Sequence, residues 1–364
     1  MATLTPSNSL TQQAIINDAW NDVELTHLYK DYTRPVESIK ALIANQGMRS
    51  QLTFDDGGNV CTGFKAWWVG GADHTLDHSD TTPRDFAACG PAAGDDLDTV
   101  SLSYDIDKHL EMDVQCSDNL CGNDVEFNEL AAKTLLSAMK AIRKQLNTDA
   151  IDFLEANNMT NGSSYGGYTQ AGDITYVPGT WDSTILSVFN IHAAQNEIQN
   201  WRLLNGTNLA EHYNNAQFQR LNDDQRSFAS QLASIPMDWD ILDLDANVGT
   251  PTTFLYNPNM IGFINMVNYD TPIPTPIPGL DNVYGYYVED PELMYRHVDR
   301  LGNVSMRPVR YDVVYAATCD GKSTYGKRVS THRWEVAFRG SLTLGPATTV
   351  AETTILQFSN STAP

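Results

Sequence analysis

From Asp124 to Asn157 the chain reads DVEFNELAAKTLLSAMKAIRKQLNTDAIDFLEAN, with no glycine and no proline. Phe127, Ala131, Leu135, Met139, Ile142, Leu146, Ala150 and Phe153 recur at steps of three or four, which places them in one apolar stripe on a helix. Asn123 or Asp124 can cap its start, and Glu126 and Glu129 suit the positive end of the helix dipole. At about 1.5 Å per residue such a helix is about 50 Å long, several times the ordinary length in a globular domain. Its length in a strand-rich chain points to a strut rather than to one wall of an active site.

The other elements are shorter. Residues 1 to about 45 form an arm with a short helix in LTQQAIINDAWNDVELTHLYKDY and a turn or two in SIKALIAN. QLTF, the turn DDGG and NVCTGFKAWWVG make a hairpin signal. Residues 70–100 are polar and irregular, too long for an ordinary loop in a compact domain, and VSLSYDIDKHLEMDVQ restores strand alternation. After the long helix, NMTNGSSYGGYTQAGD marks a boundary. Thr180–Leu204 is expected to be helical, with Ile185, Val188, Phe189, His192, Ile198 and Leu203 near one face. Further helical segments are expected near 208–221 and 223–234, and a strand in MDWDILDLDANV. TTFLY is expected to be a buried strand and MIGFINMV a short helix begun at Asn257-Pro258; TPIPTPIPG then favours an extended segment. VYGYYVED, RPVRYDVVYAATCD and HRWEVAFRGSLTLGP carry the β-branched and aromatic character of strands. No repeat shows at a fixed period, and the fold class is α+β.

Charge changes the picture more than composition does. The 364 residues hold 23 Lys and Arg against 45 Asp and Glu, a formal charge of -22, which argues against a dedicated nucleic-acid binder. No apolar run is long enough to span a membrane, and MATLTPSNSLTQQ lacks the charged start and apolar core of a secretory signal. Five cysteines, an odd number, fit a reducing compartment, and Cys116 and Cys121 suit free thiols better than a zinc site. Against this acidic background Lys133, Lys140, Arg143 and Lys144 gather on the long helix, with no acid between Glu129 and Asp149. They form either a solvated face or a contact with a polyanion. Lys322, Lys327, Arg328 and Arg333 make a second basic group, able to meet an acidic loop on another copy.

Enzymatic signatures are faint. His74 and His78, with Asp73 and Asp77, have helical metal spacing but sit in a glycine-flanked loop without a third ligand. Asp55-Asp56 and Asp95-Asp96-Leu97-Asp98 lack the ligand order of a calcium loop. Asp238, Asp240, Asp243 and Asp245 are best explained as the solvent side of a strand; as paired acids for glycosidic cleavage they define the enzymatic alternative, a carbohydrate-active hydrolase using Asp240, Asp243 or Asp245. The SSYGG run at Ser163 completes the letters GxSxG from Gly162 to Gly166 but is not followed by a helix with the signature of a nucleophile elbow, and GxxxxGK[ST] does not occur. His192, on an apolar face, is expected to be a satisfied core histidine. No catalytic residue, metal or cofactor is assigned.

The order of parts resembles the major capsid protein of tailed bacteriophages, the Hong Kong 97-type fold. In that family an N-terminal arm, an extended loop, a spine helix in a peripheral domain and an axial domain precede strands that return to the peripheral domain. The resemblance implies an arm at 1–50 and an extended loop at 51–115, with an insertion at 70–100. It implies a peripheral domain at 116–164 with the spine helix at 124–157, an axial domain at 165–305, and closing strands and a tail at 306–364. TTFLYNPNMIGFINM is similar to a strand-then-helix element of the axial domain. The implied function is a subunit that self-assembles, through hexamers and pentamers, into an icosahedral shell enclosing double-stranded DNA, assembled in the host cytoplasm and resident in the virion. Scaffolding, portal and decoration proteins are implied partners, and no membrane. Residues 1–45 are too short for the family's usual scaffolding segment, so a separate scaffold, or none, is expected. Lys133, Lys140, Arg143 and Lys144 would face the lumen and touch packaged DNA non-specifically. Trp67, Trp68, Lys322, Lys327 and Arg328 would make contacts between subunits. A tail protein, another virion component or an adhesin is the remaining alternative.

Overall fold

The computed structural model describes residues 36–54, 61–69, 97–102, 106–117, 124–161, 168–179, 181, 184–209, 235–281, 283–299, 301–318, 329–344 and 354–364. Helix α1 (Glu37–Asn45) leads into strands β1 (Arg49–Phe54), β2 (Cys61–Val69), β3 (Leu97–Leu102) and β4 (Ile106–Ser117). The strut is one unbroken helix of 33 residues, α2 (Asp124–Ala156). Then come β5 (Thr169–Ala171), β6 (Ile174–Tyr176), α3 (Thr184–Gln195), β7 (Arg202–Asn205), β8 (Met237–Trp239), α4 (Leu244–Val248) and β9 (Thr252–Tyr256). A 3-10 turn over Pro258–Met260 opens β10 (Ile261–Met266), followed by β11 (Thr275–Pro276), the long β12 (Val283–Val298), β13 (Val304–Thr318) and β14 (Val329–Leu344), and finally β15 (Ile355–Ser359).

Two sheets result. The larger has nine strands in the order β10-β14-β13-β12-β1-β2-β3, with β4 on β14 and β11 on β12. The hairpin expected from QLTF and NVCTGFKAWWVG is present as antiparallel β1 and β2. β13 pairs with β14 only from Asp312 to Thr318, and β10 takes Arg339–Leu344. The Asn265 amide spans the junction: it donates to the carbonyls of Arg310 and Arg339 and accepts from the Arg310 N–H. The smaller sheet, β5-β6-β15-β9-β7-β8, holds strands from three distant parts of the chain. β10 and β12, from within 165–305, pair in the larger sheet, whereas β15, from within 306–364, pairs in the smaller one.

Period-2 alternation lets the small sheet serve two cores. Phe254 and Tyr256 of β9 and Ile355 of β15 pack with α1, α2 and the large sheet. Leu255, Leu356 and Phe358 face the other way, toward α3 and Trp181. A strand that serves two cores is buried on both faces, and all five residues of TTFLY are buried, with Thr253 accepting from the Asn208 amide. MIGFINM follows the same rule. Where a short helix is expected, Ile261–Met266 forms β10, buried at each of its six positions, because a short, largely apolar run carries no period to separate the two states.

On α2 the expected stripe is buried at Leu135, Met139, Ile142, Leu146 and Ala150, with Phe153 packed at its edge. Phe127 and Ala131 lie on the helix, but their side chains fall outside the described set. The helix expected over Thr180–Leu204 is shorter. It ends at Gln195, Glu197 and Asn200 take left-handed backbone angles, and Arg202–Asn205 becomes a strand paired with β8 and β9. MDWDILDLDANV is a strand only through Trp239, then a turn and the short α4. The segments at 210–234 lie outside the described residues.

Candidate functional site

The basic residues of α2 do not share one environment. Lys144 is exposed and Lys140 half-buried; Lys133 lies on the helix with its side chain outside the described set. Arg143 is a correction: it is 2% exposed and points into the core, so it belongs to no solvent-facing basic stripe. Its partners lie in a bulge of β12, where Glu289 pairs with Arg310 and Met294 with Pro308, leaving Asp290 to Leu293 out of register. Pro291 lacks an N–H for the ladder, which favours such a break. The Arg143 Nη2 sits 2.7 Å from Glu292 Oε2, and its Nε 3.6 Å from Asp290 Oδ2. Asp290 accepts from the Tyr311 hydroxyl at 2.8 Å and, through its other oxygen, from the N–H groups of Glu292 and Leu293. Lys40 of α1 reaches the second oxygen of Glu292 at 3.4 Å. Burial alone would raise the Glu292 pKa. The hydrogen bond and charge of Arg143, together with Lys40, outweigh it and hold the carboxyl below its ordinary range.

One turn further along α2, Asn147 is buried on the same face. Its amide donates to Asp240 Oδ2 at 2.8 Å and Asp243 Oδ2 at 3.1 Å, while its oxygen accepts from the Ile39 N–H. Asp240 also accepts from the N–H and hydroxyl of Ser38, at 3.2 and 2.6 Å, and from the Asp243 N–H. Asp245 accepts from the Thr207 N–H and hydroxyl and from the Thr252 N–H. Gly206 makes this approach possible, since a Cβ there would run into the Asp245 carboxylate. The acids expected on the solvent side of a strand are therefore turn-forming and partly buried. Asp240 and Asp243 accept hydrogen bonds from α1 and α2, and Asp245 from Thr207 and from Thr252 of β9.

His192 is the core histidine expected, buried on α3 with Nδ1 2.7 Å from the Asn161 amide; Asn161 also donates to Thr175. Burial lowers its pKa. Trp67 and Trp68 lie in β2, opposite Thr99 and Asp98 of β3. Arg333 lies in β14 and is exposed. Lys322, Lys327, Arg328, His74 and His78 lie outside the described residues. Among the described residues no three His, Cys, Asp or Glu stand together as a metal site, and no helix is long and apolar enough to cross a membrane.

Two exposed apolar features carry no signal in the one-dimensional pattern. The β12–β13 hairpin ends in Leu301, 83% exposed, with Val304, Met306 and Met294 behind it. Ile241 and Leu242, 50% and 53% exposed, form the turn between Asp240 and Asp243. An open cleft of about 380 Å³ lies between α1 and the small sheet, with Trp201, Arg202, Pro258 and Arg296 in its walls.

No protein-family model matches the chain, and no curated protein matches it. Among solved structures, the chain is similar to one from Mycobacterium phage Che8, at 12% identity over 85% of this chain and 92% of that one, with a TM-score of 0.36. It is similar to the asymmetric unit of the bacteriophage PhiM1 mature capsid, at 7% identity over 82% of each chain and a TM-score of 0.38. It is also similar to an encapsulin complex from Synechococcus elongatus, at 8% identity over 73% of this chain and 78% of that one, with a TM-score of 0.30.

Proposed function

We propose that the chain is the major capsid subunit of a tailed bacteriophage, with a Hong Kong 97-type fold, building an icosahedral shell of hexamers and pentamers around double-stranded DNA. The observation that carries this reading is the unbroken α2 laid along a nine-stranded sheet, with the β1–β2 hairpin before it in sequence and the strands of a second sheet after it. Such a body is a plate with extensions, and extensions that cannot form a core alone gain order by lying across neighbours. A closed shell requires the same heterologous contacts repeated under symmetry; exposed apolar groups supply candidate contacts, and on a chain of formal charge -22 copies can pack only where local charges are matched. The acids that a hydrolase would need are instead committed to hydrogen bonds that hold the fold.

Under this reading, residues 1–50 are the arm, 51–115 the extended loop, 116–164 and 306–364 the peripheral domain and 165–305 the axial domain. Lys133, Lys140 and Lys144 face the packaged DNA, and Trp67, Trp68, Lys322, Lys327 and Arg328 lie at subunit contacts. Scaffolding, portal and decoration proteins are the expected partners, and assembly takes place in the host cytoplasm. Negative-stain imaging of the expressed chain, with a scaffold co-expressed, tests the reading. Closed shells are expected; a monodisperse monomer, or tubes and rings alone, overturns it. Replacing Lys133, Lys140 and Lys144 with alanine is expected to leave shells intact and to lower retained DNA; unchanged genome content removes the lumen-facing assignment.

A further inference from the structure

Helix α1 has an apolar patch at each end, and the charges around the two patches are opposite. Its N-terminal end is tied to Asp240 through Ser38, next to the exposed Ile241–Leu242 turn. Its C-terminal end is tied to the β12–β13 hairpin, where the Gln46 carbonyl accepts from Arg296, and Arg49 lies close to Gly302. Nine residues of helix, about 13 Å, separate the two attachment points.

The turn is flanked by Asp240, Asp243 and Asp245, within a stretch between Arg226 and Arg296 that has no lysine or arginine; of its other acids, Asp238 is paired with Arg202, Glu289 with Arg310, Asp290 with Arg143, and Glu292 with Arg143 and Lys40. Asp240 and Asp245 are held by amide and hydroxyl donors, which leave their negative charge in the field of the turn. The hairpin tip opens a basic stretch, and from Arg296 to Arg339 nine lysines and arginines face four acids. At the tip, Arg49 and Arg307 are exposed, and Arg296 and Arg307 bond to neutral oxygens, the Gln46 carbonyl and the Tyr295 hydroxyl. The tip is also built to hold its shape. Asp299 accepts from the N–H groups of Leu301 and Asn303 and from the Asn303 amide, and Gly302 takes the left-handed φ of 87° that closes the turn. Leu301 is therefore presented with little conformational entropy left to lose on docking.

We propose that the hairpin tip of one subunit, Leu301 with Met306 and Val304, seats against the Ile241–Leu242 turn of the next copy of this chain, with the tip arginines set against the acidic stretch. The pairing is head to tail, so it propagates around a ring rather than closing as a two-fold dimer. Opposite fields at the two ends favour this register and disfavour tip-to-tip or turn-to-turn contact. The inference rests on the shell reading and names one of the contacts that reading requires.

Two variants test it: a tip variant, Leu301→Asp with Met306→Asp, and a turn variant, Ile241→Asp with Leu242→Asp. All four positions are at least half exposed, so thermal melting within about 2–4 °C of the parent checks that each still folds. Sedimentation velocity is expected to show each variant alone at the mass of one subunit. An equimolar mixture should give a species of twice that mass and nothing larger, because one intact tip then meets one intact turn. A variant that assembles as the parent does, or a mixture that stays at subunit mass, overturns the pairing and leaves the shell reading standing. A parent chain that never assembles overturns both. As a check independent of destabilisation, a Leu301→Cys, Leu242→Cys chain treated with a short bismaleimide should give a ladder of cross-linked subunits beyond that of the parent; the absence of any added ladder counts against the contact.

Discussion

The two cores face the same task and meet it with opposite chemistry. Beneath the large sheet, α2 is fixed by a buried cation held between two carboxylates of the β12 bulge. Beneath the small sheet, α3 is fixed by neutral groups: His192 to Asn161, Asn161 to Thr175, and Asn196 to Asn161. Around the neutral site the packing is aromatic, with Phe189 edge-on to Phe358 at 5.0 Å and to Trp181 at 5.6 Å. A charged latch is indifferent when intact and costly when halved, since the partner left behind is a buried, uncompensated ion. A neutral latch loses only one desolvated hydrogen bond. The long helix is thus tied to its sheet by an interaction that tolerates no partial version.

The largest expected effect follows directly. Arg143→Ala strands Asp290 in the core and should destabilise the chain by about 3–5 kcal/mol, measured by denaturant unfolding. Asn161→Ala should cost less, about 1–3 kcal/mol; an equal or larger loss would erase the contrast between the two latches. Acid should separate the two cores next. The pKa of His192 is lowered by burial, so the unfolded chain binds its proton first, and the stability from neutral His192 is lost as pH falls below about 6.5. The pKa of Glu292 is depressed, so its contribution is full above about 4.3 and is lost only as pH falls through the lower folded value. Amide exchange followed by residue should therefore quicken in α3 and β15 before it does in α2 and the Asp290–Leu293 bulge of β12. Simultaneous onset in the two cores would contradict this. His297, whose pKa is lowered first by burial and then by Arg307, should respond in the His192 window but at the hairpin tip. The smallest effect is expected at Lys144, exposed on α2, where alanine should change stability by no more than about 0.5 kcal/mol.

Much of this was legible in the sequence, and what was not has physical reasons. α2 announced itself because about nine turns of 3.6-residue periodicity cannot arise by accident in a strand, and the core placement of His192 followed from its neighbours Val188 and Phe189. The inward turn of Arg143 was harder to see. It sits between Ile142 and Leu146 on the apolar side, a position that signals burial, but its partners lie 147 and 149 residues away. The visible trace of them was DPE inside a strand-like run, a proline and two acids where the ladder should continue. The roles of Asp240 and Asp243 were hidden for the same reason: Ser38 and Asn147, which use them, are far away in the chain. MIGFINM was misread because burial on both faces erases the alternation that marks a strand. The apolar hairpin tip had no one-dimensional signal, since Val304 and Met306 have the composition of any strand, and exposure is decided by the neighbours a strand lacks.

The most direct test of the central claim is a cryo-electron microscopy reconstruction of the assembled chain. A closed shell whose wall contains, in every subunit, an unbroken rod about 50 Å long corresponding to Asp124–Ala156 is the expected result. A soluble single subunit, or a particle in which that segment is broken into short helices around a cleft, would contradict the account.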